Sequence, residues 1–205
     1  MLAEKKNFLF IHIPKTAGNA IQASLHNHSE DRFIDKSGSN DRFALESARG
    51  FVKHSTALDY LRVLGPERFQ SLRKFTCVRN PWERAISFYF SPHRSVAIWD
   101  KYEFVATLSG LPPMVSYLAV PPEPPFEGTL NCVDFTIRYE TLARDFRRLC
   151  EWLEIPVIDL EIKNRSNHAP WWSYYDKELA DLVAERYRED IELFQYSFHS
   201  AQNRG

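Results

Sequence analysis

"FIHIPKTAGNA", residues 10–20, joins an apolar run to a lysine and a threonine at a proline, and a glycine follows. The apolar run is aromatic and β-branched with almost no polar interruption, which predicts a buried strand over residues 7–14. Residues 18–28 then predict a helix. A strand that turns into a helix presents backbone N–H groups and the positive end of the helix dipole, which together bind anions. Lys15 adds a point charge, so this turn is a candidate anion site.

Two further strand–helix pairs follow along the chain. "RKFTCVRNP" predicts a strand stopped by a proline, with a helix over "WERAISFYF", and "VDFTIRYE" predicts a third strand with a helix over "TLARDFRRLCEWL". Strands that alternate with helices predict an α/β fold with a central parallel sheet flanked by helices in three layers. In such sheets, ligands bind at the carboxyl ends of the strands. Lys15 and Arg79 both follow predicted strands, so we expect them to converge on one crevice.

The other segments complete a single predicted domain over residues 1–205. Residues 29–50 are rich in charged and small polar residues, which predicts mostly loop with a short strand near Phe33. "HSTALDYLRVLG" predicts a helix with Ser55 as its N-cap. "LPPMVSYLAVPPEPPFEG" is dense in proline but too apolar for a solvated linker, so it predicts a surface excursion. The last helix is predicted from residue 173 to residue 194, with Ser173 and Asp176 in capping-box spacing.

Composition limits the classes of partner. The chain has 205 residues, 44% of them hydrophobic, which suffices for one substantial core. Its formal net charge of -1 gives no overall basic field, so no nucleic-acid partner is expected. The three cysteines are too far apart for a metal or redox motif, and their odd number argues against a disulfide framework. This favours a reducing, cytoplasmic location, although a lumenal domain cut from a longer protein would look the same. No stretch reaches the roughly 18 apolar residues of a membrane span.

The Lys-Thr turn alone is consistent with several functional interpretations. A nucleotide-binding Walker A loop places glycines before its lysine, whereas the first glycine here is Gly18, so a kinase loop binding ATP and Mg²⁺ is a poor match. An ordinary turn with a solvated lysine is equally consistent with these residues. The second cluster favours a phosphate monoester, because Arg79 offers a guanidinium fork and Ser87 a hydroxyl two turns into the next helix.

Two stretches together resemble a known family. "HIPKTAGNA" followed by "FTCVRNPWERAISFY" resembles the paired signature motifs of sulfotransferases that use 3′-phosphoadenosine-5′-phosphosulfate (PAPS). The similarity is greatest to the carbohydrate-type branch related to heparan 2-O-sulfotransferase, and it extends from about residue 8 to residue 196. Such a resemblance implies a P-loop-like fold, a hydroxylated acceptor such as a glycan or a small molecule, and no metal.

The resemblance also implies roles for individual residues. Arg79 and Ser87 would hold the 3′-phosphate, Tyr139 would lie near the adenine, and the loop "KNRSN" would close over the nucleotide through Arg165. The 5′-phosphosulfate loop would consist of Lys15, Thr16, Ala17, Gly18, Asn19 and Ala20. Relatives usually carry two hydroxyl residues where this chain has Asn19 and Ala20, a departure that would reduce affinity and that gives a non-catalytic nucleotide- or glycan-binding module some support.

Transfer to an alcohol needs a general base, and a similarly placed histidine in the related branch points to His54. Its position before the predicted helix start disfavours the imidazolium form, which leaves a neutral base near pH 7. His12 is expected to be a hydrogen-bonded core histidine. His93 and His168 are further candidates near the acceptor, and "HNH" at 26–28 lacks the spacing of a metal site.

The acceptor is the least determined part of this hypothesis. Aromatic side chains could stack on sugar faces, or they could simply pack, and these are Trp99, Trp171, Trp172, Tyr174 and Tyr175. A chain of 205 residues leaves little room for a long polysaccharide groove, which favours a small glycan, a lipid-linked sugar or a metabolite alcohol. Oligomeric state is not predicted.

Overall fold

The computed structural model describes residues 1–35, 43–122, 127–160 and 168–198, except for the side chains of Phe33, Asp35, Phe43 and His93. The strands of these residues are β1 (Leu2–Ala3), β2 (Phe8–Ile11), β3 (Arg32–Asp35), β4 (Phe43–Glu46), β5 (Arg73–Val78) and β6 (Phe135–Arg138). Their helices are α1 (Gly18–Leu25), α2 (Ala57–Leu64), α3 (Pro66–Ser71), α4 (Pro81–Tyr89), α5 (Lys101–Thr107), α6 (Val115–Leu118), α7 (Leu142–Trp152), α8 (Lys177–Arg186) and α9 (Arg188–Phe194). Two compact units result, the first from Met1–Val78 and Val115–Lys163, the second from Arg79–Met114 and Asn164–Gly205.

A four-stranded sheet in the order β1-β2-β5-β6 is the centre of the first unit. β2, β5 and β6 are parallel, as the alternation of strands and helices predicted. β1 pairs antiparallel with β2, so the sheet is mixed, and the prediction of a wholly parallel sheet was wrong at this edge. Every residue of β2 is buried, which requires cover on both faces of the sheet.

Aromatic and aliphatic side chains of one sheet face form the core with α1 and α7. Phe10 and Phe75 lie in register on neighbouring strands, and their rings stack with centroids 5.1 Å apart. From the helices, Ile21 and Phe146 pack into the same cluster. Burial of this side of α1 fixes the helix against the strand that precedes it, and so positions the connecting turn at 12–17.

The segment before α2 differs from the prediction in its cap. Thr56, not Ser55, is the N-cap: its hydroxyl accepts a hydrogen bond from the Asp59 backbone N–H, and the Asp59 carboxylate accepts from the Thr56 backbone N–H in return. Ser55 instead accepts from the Val52 backbone N–H at 3.0 Å and closes the preceding turn. The helix therefore begins at Ala57, one residue later than a Ser55 cap would place it, and His54 lies two residues before the N-cap.

Replacement of Thr56 by alanine should lower the free energy of unfolding by about 1 kcal/mol, because the capping box loses its hydroxyl. Urea unfolding followed by circular dichroism measures this change. Thr56→Ser is the matched control and should retain wild-type stability. Equal losses in both variants would assign the effect to the threonine methyl group and contradict the capping role.

The second unit is built around α4. Asn80 caps this helix by accepting hydrogen bonds from the backbone N–H groups of Trp82 and Glu83, and Pro81 occupies the first helical position, where no donor is needed. The Trp82 indole donates to the Ala180 carbonyl of α8 at 2.9 Å. The prediction of a single terminal helix from residue 173 was wrong. Asp176 is the N-cap of α8, and the helix is interrupted at Tyr187, after which α9 begins.

Candidate active site

The turn between β2 and α1 has an unusual backbone. Lys15 and Ala17 both adopt left-handed conformations with φ of 69°, which residues other than glycine rarely do. Backbone strain of this kind persists only where the surroundings enforce it, and it is concentrated at functional sites. Left-handed residues in a turn point successive N–H groups into one concavity, the arrangement that binds anions in phosphate loops.

Two features hold this turn in shape: the hydroxyl of Thr16 and the close packing of the His12 ring on Gly18. Thr16 is fully buried, and its hydroxyl donates a hydrogen bond to the Ile13 carbonyl at 2.8 Å. The hydroxyl thus braces the loop from within. A Cβ at Gly18 would overlap the ring of His12, so the first position of α1 accepts only glycine.

The first turn of α1 is electrostatically suited to an anion. Its N-cap, Ala17, provides no side-chain cap, and the turn contains no acidic residue. The first N–H groups of a helix lack intrahelical acceptors, so Gly18 and Asn19 present donors at the positive end of the dipole. Asn19 is half-buried, and no described residue hydrogen-bonds its buried Oδ1. Ala20 is buried and supplies only backbone.

His54 lies beside this turn. Its Nδ1 is 2.9 Å from the His12 carbonyl oxygen, which can only accept, so Nδ1 carries the proton of the neutral ring. Nε2 is then the nitrogen with the lone pair, as a general base requires. His54 also precedes the capped start of α2, where the helix dipole disfavours a positive charge.

His12 connects His54 to α1. Its Nδ1 lies 2.9 Å from Oε1 of Gln22, and its ring centroid lies 4.5 Å from that of His54. Burial holds the pKa of His12 well below the ordinary value, and the charges of His54 and Lys53 lower it further. His12 is thus a hydrogen-bonded buried histidine, as predicted. The sequence analysis did not name Gln22 or Lys53 as residues of the site. For Gln22, the available signal was a polar residue on an otherwise apolar helix face.

Tyr139 follows β6 at the same edge of the parallel sheet as the Lys15 turn. It is half-buried, and both Tyr139 and Ala17 pack against the hydrophobic core of the first unit. β5 lies between β2 and β6, so the two strand ends are about 10 Å apart. Arg165 falls within residues 161–167, outside the described residues.

Arg79 and Ser87 belong to the second unit. Arg79 directly follows β5 in the chain, and its guanidinium donates to Oε1 of Glu83 at 2.9 Å, with both side chains largely buried. Ser87 is buried two turns along α4. The expected convergence of these residues with the Lys15 turn stays a prediction.

Comparison with known proteins identifies the family. The profile described as "Sulfotransferase family" matches residues 1–110, which include the Lys15 turn, His54, Arg79 and Ser87. The chain belongs to the sulfotransferase family. Neither the curated proteins nor the solved structures contain a match to it. The matched residues include the turn at the end of the first parallel strand, which stays a candidate anion site.

The roles of His93 and His168 near the acceptor stay predictions. His168 contacts the Ala169 carbonyl and stacks on Phe90, and the "HNH" residues form a short 3₁₀-helix. The side chain of His93 lies outside the described ones. Within the described ranges, no cluster of three or more histidine, cysteine, aspartate or glutamate side chains could hold a metal, and no helix is long and apolar enough to cross a membrane.

The aromatic residues of the second unit divide into two groups. Trp171 is buried, and Tyr175 donates its hydroxyl to the Trp82 carbonyl at 2.8 Å, so both serve packing. Trp99 and Tyr174 are half-buried with ring centroids 4.9 Å apart, and Trp172 is 41% exposed. Trp99, Tyr174 and Trp172 retain accessible surface for a ligand, and Tyr175, although engaged through its hydroxyl, is also only half-buried.

Proposed function

We propose that the chain, as one domain over residues 1–205, transfers the sulfuryl group of PAPS to an alcohol acceptor. The observation that carries this proposal is the left-handed backbone of Lys15 and Ala17 before an uncapped helix, in a chain of the sulfotransferase family. PAPS supplies the sulfuryl group, and 3′,5′-adenosine diphosphate is the product that leaves.

We assign the charged end of PAPS to residues of the first unit. Backbone N–H groups from Lys15 to Ala20 would bind the 5′-phosphosulfate oxygens, and the Lys15 ammonium would neutralise charge on the bridging oxygen. Thr16 acts by bracing the loop. Tyr139, at the neighbouring strand end, would contact the adenine. Arg165 would close over the nucleotide.

The 3′-phosphate distinguishes PAPS from ATP, and we assign it to Arg79 and Ser87. Arg79 presents a fork that suits phosphate oxygens, oriented by its ion pair with Glu83. Ser87 adds a hydroxyl. No glycine precedes Lys15, which supports a loop other than the Walker A loop of a kinase.

His54 would accept the proton of the acceptor alcohol at Nε2, since Nδ1 is bonded to the His12 carbonyl. For the acceptor, we propose a sugar or a small hydroxylated metabolite, in line with the resemblance to the heparan 2-O-sulfotransferase branch. Trp99, Tyr174 and Trp172 retain exposed ring surface of the kind that stacks on sugars.

Calorimetric titration with 3′,5′-adenosine diphosphate, compared with ATP with and without Mg²⁺, tests the nucleotide site. We expect selective, metal-independent binding of the 3′-phosphorylated nucleotide, and about 2.7 kcal/mol of stabilisation at a hundredfold excess over Kd. Arg79→Ala should weaken this binding about 10–100-fold, since hydrogen bonds to a charged group are lost. Arg62→Ala, at an exposed arginine of α2, is the control. Preference for Mg-ATP would indicate a kinase. Binding of neither nucleotide would contradict both the sulfotransferase and the kinase hypotheses.

A further inference from the structure

His12 makes contacts that no role assigned above requires. Its side chain is 3% exposed and lies directly after β2, at the beginning of the turn that leads to Lys15. Three of its contacts involve the site: Nδ1 with Gln22 of α1, the ring with Gly18, and the ring with His54. One side chain therefore touches both the start of the anion-binding helix and the candidate base.

On the α1 side, the ring occupies the space that a side chain at residue 18 would need. The Cδ2–Nε2 edge of His12 lies where a Cβ on Gly18 would stand. The opposite nitrogen, Nδ1, faces the side-chain amide oxygen Oε1 of Gln22. Gln22 lies one turn further along the helix and is completely buried. The ring thus sets how closely the first turn of α1 approaches β2, and the bond to Gln22 sets the rotation of the ring.

On the other side, both parts of His12 hold His54. The backbone carbonyl accepts the Nδ1 proton of His54 at 2.9 Å, and the two rings meet edge to face with an interplanar angle of 68°. The hydrogen bond selects the tautomer, and the ring contact restricts rotation of His54 about that bond.

We propose that His12 is a positioning residue whose ring holds the first turn of α1 and the ring of His54 in one fixed arrangement. This inference rests on the proposed function, in which α1 binds the sulfuryl donor and His54 receives the acceptor proton. Transfer needs both within a narrow geometry, and a displacement of about 1 Å costs roughly 10²-fold in rate. His12 itself stays neutral, since burial and the charges of His54 and Lys53 lower its pKa, which suits a positioning role and not that of a base.

The test replaces the ring while keeping its hydrogen bond. Asparagine carries an amide at the position of Nδ1, so His12→Asn retains a donor for Gln22 but lacks the ring that contacts Gly18 and His54. Long-range ¹H–¹⁵N spectra of the histidine rings should show His54 as a single Nδ1–H tautomer in the wild type. In His12→Asn the backbone carbonyl of residue 12 remains, but without the ring contact His54 is free to rotate away from it, so the spectra should show a mixture of tautomers. Transfer should fall about 10²-fold in the same variant, mainly in kcat.

His12→Phe provides the converse variant, because it keeps a ring of similar size without Nδ1. It should retain the Nδ1–H tautomer of His54, because packing against Gly18 and His54 still confines the ring when the bond to Gln22 is lost. It is also the variant to measure if His12→Asn does not fold. His26→Asn, at an exposed histidine of the 3₁₀-helix, is the control for loss of one imidazole. Unchanged His54 signals in His12→Asn, or altered signals in His12→Phe, would overturn the positioning role.

Gly18→Ala approaches the same contact from the helix. Its methyl group would displace the ring, so this variant should lose affinity for 3′,5′-adenosine diphosphate, and the double variant Gly18→Ala/His12→Asn should recover part of it. Losses that simply add would contradict the proposal. The His54 spectrum needs neither nucleotide nor acceptor, so failure of the positioning role is distinguishable from failure of the sulfotransferase assignment, which would appear as absent binding in the wild type.

Discussion

Lys15→Ala should reduce sulfuryl transfer by about 10²–10³-fold, the loss expected when one preorganised donor to a developing charge is removed, or about 3–4 kcal/mol. The lysine stands in a left-handed turn at the beginning of an uncapped helix, so its charge adds to that of the backbone donors. Because charge on the leaving oxygen grows in the transition state, kcat should fall more than the affinity for 3′,5′-adenosine diphosphate. Transfer from labelled PAPS to a panel of sugars and small alcohols measures the rate.

Two variants make this measurement specific. Lys5→Ala removes an exposed lysine from the same unit and should leave transfer unchanged. Lys15→Met keeps most of the side chain's length without its charge, so it should behave as Lys15→Ala does. A rate close to the wild type in Lys15→Met would show that the charge is not what matters, and would contradict the assigned role.

The central part of the fold was predictable because its signals are local. β2, β5 and β6 are short apolar runs ended by polar or proline residues, and each is followed by a helix. Strand–helix alternation then implies parallel pairing, since parallel neighbours need a crossover. β1 escaped prediction because two residues carry no readable period, and its antiparallel pairing with β2 depends on a tertiary contact.

Helix ends were predicted less well, because neighbouring polar side chains can each cap a helix or hydrogen-bond elsewhere. Ser55 and Thr56 both suit an N-cap, and the spacing to Asp59, three residues after Thr56, decides between them. At the last helix, the hydroxyl of Ser173 donates to the Pro170 carbonyl, so Asp176 caps instead. No glycine or proline marks the break at Tyr187, which therefore has no signal in the sequence.

The candidate site also combines local features, which the sequence predicts, with contacts between distant residues, which it does not. Lys15 and Gly18 were visible in a turn between a strand and a helix, a local pattern with a local consequence. The partners that organise them were not, because the contacts of His12 with Gln22 and His54 join residues ten and forty-two positions apart. Such pairings depend on how α1 and the segment before α2 fold back on β2.

His54→Asn should lower the turnover rate by about 10²–10⁴-fold, the contribution of a general base. Asparagine retains a donor at the position of Nδ1 and can keep the hydrogen bond to the His12 carbonyl, so the loop should remain in place. What the variant lacks is a proton acceptor at Nε2. Nucleotide affinity should therefore stay near the wild-type value while transfer falls, a separation that calorimetry and initial rates measure together.

The pH dependence of transfer adds a second criterion. The wild-type rate should rise with pH as His54 loses its proton, because only the neutral ring accepts one from the alcohol. His12 does not contribute to this rise near neutral pH, since burial and nearby positive charges hold its pKa well below the ordinary value. The residual activity of His54→Asn should consequently lose the acidic limb, whereas His26→Asn should keep both rate and profile. An unchanged acidic limb in His54→Asn would assign the base to another residue, even if the rate fell.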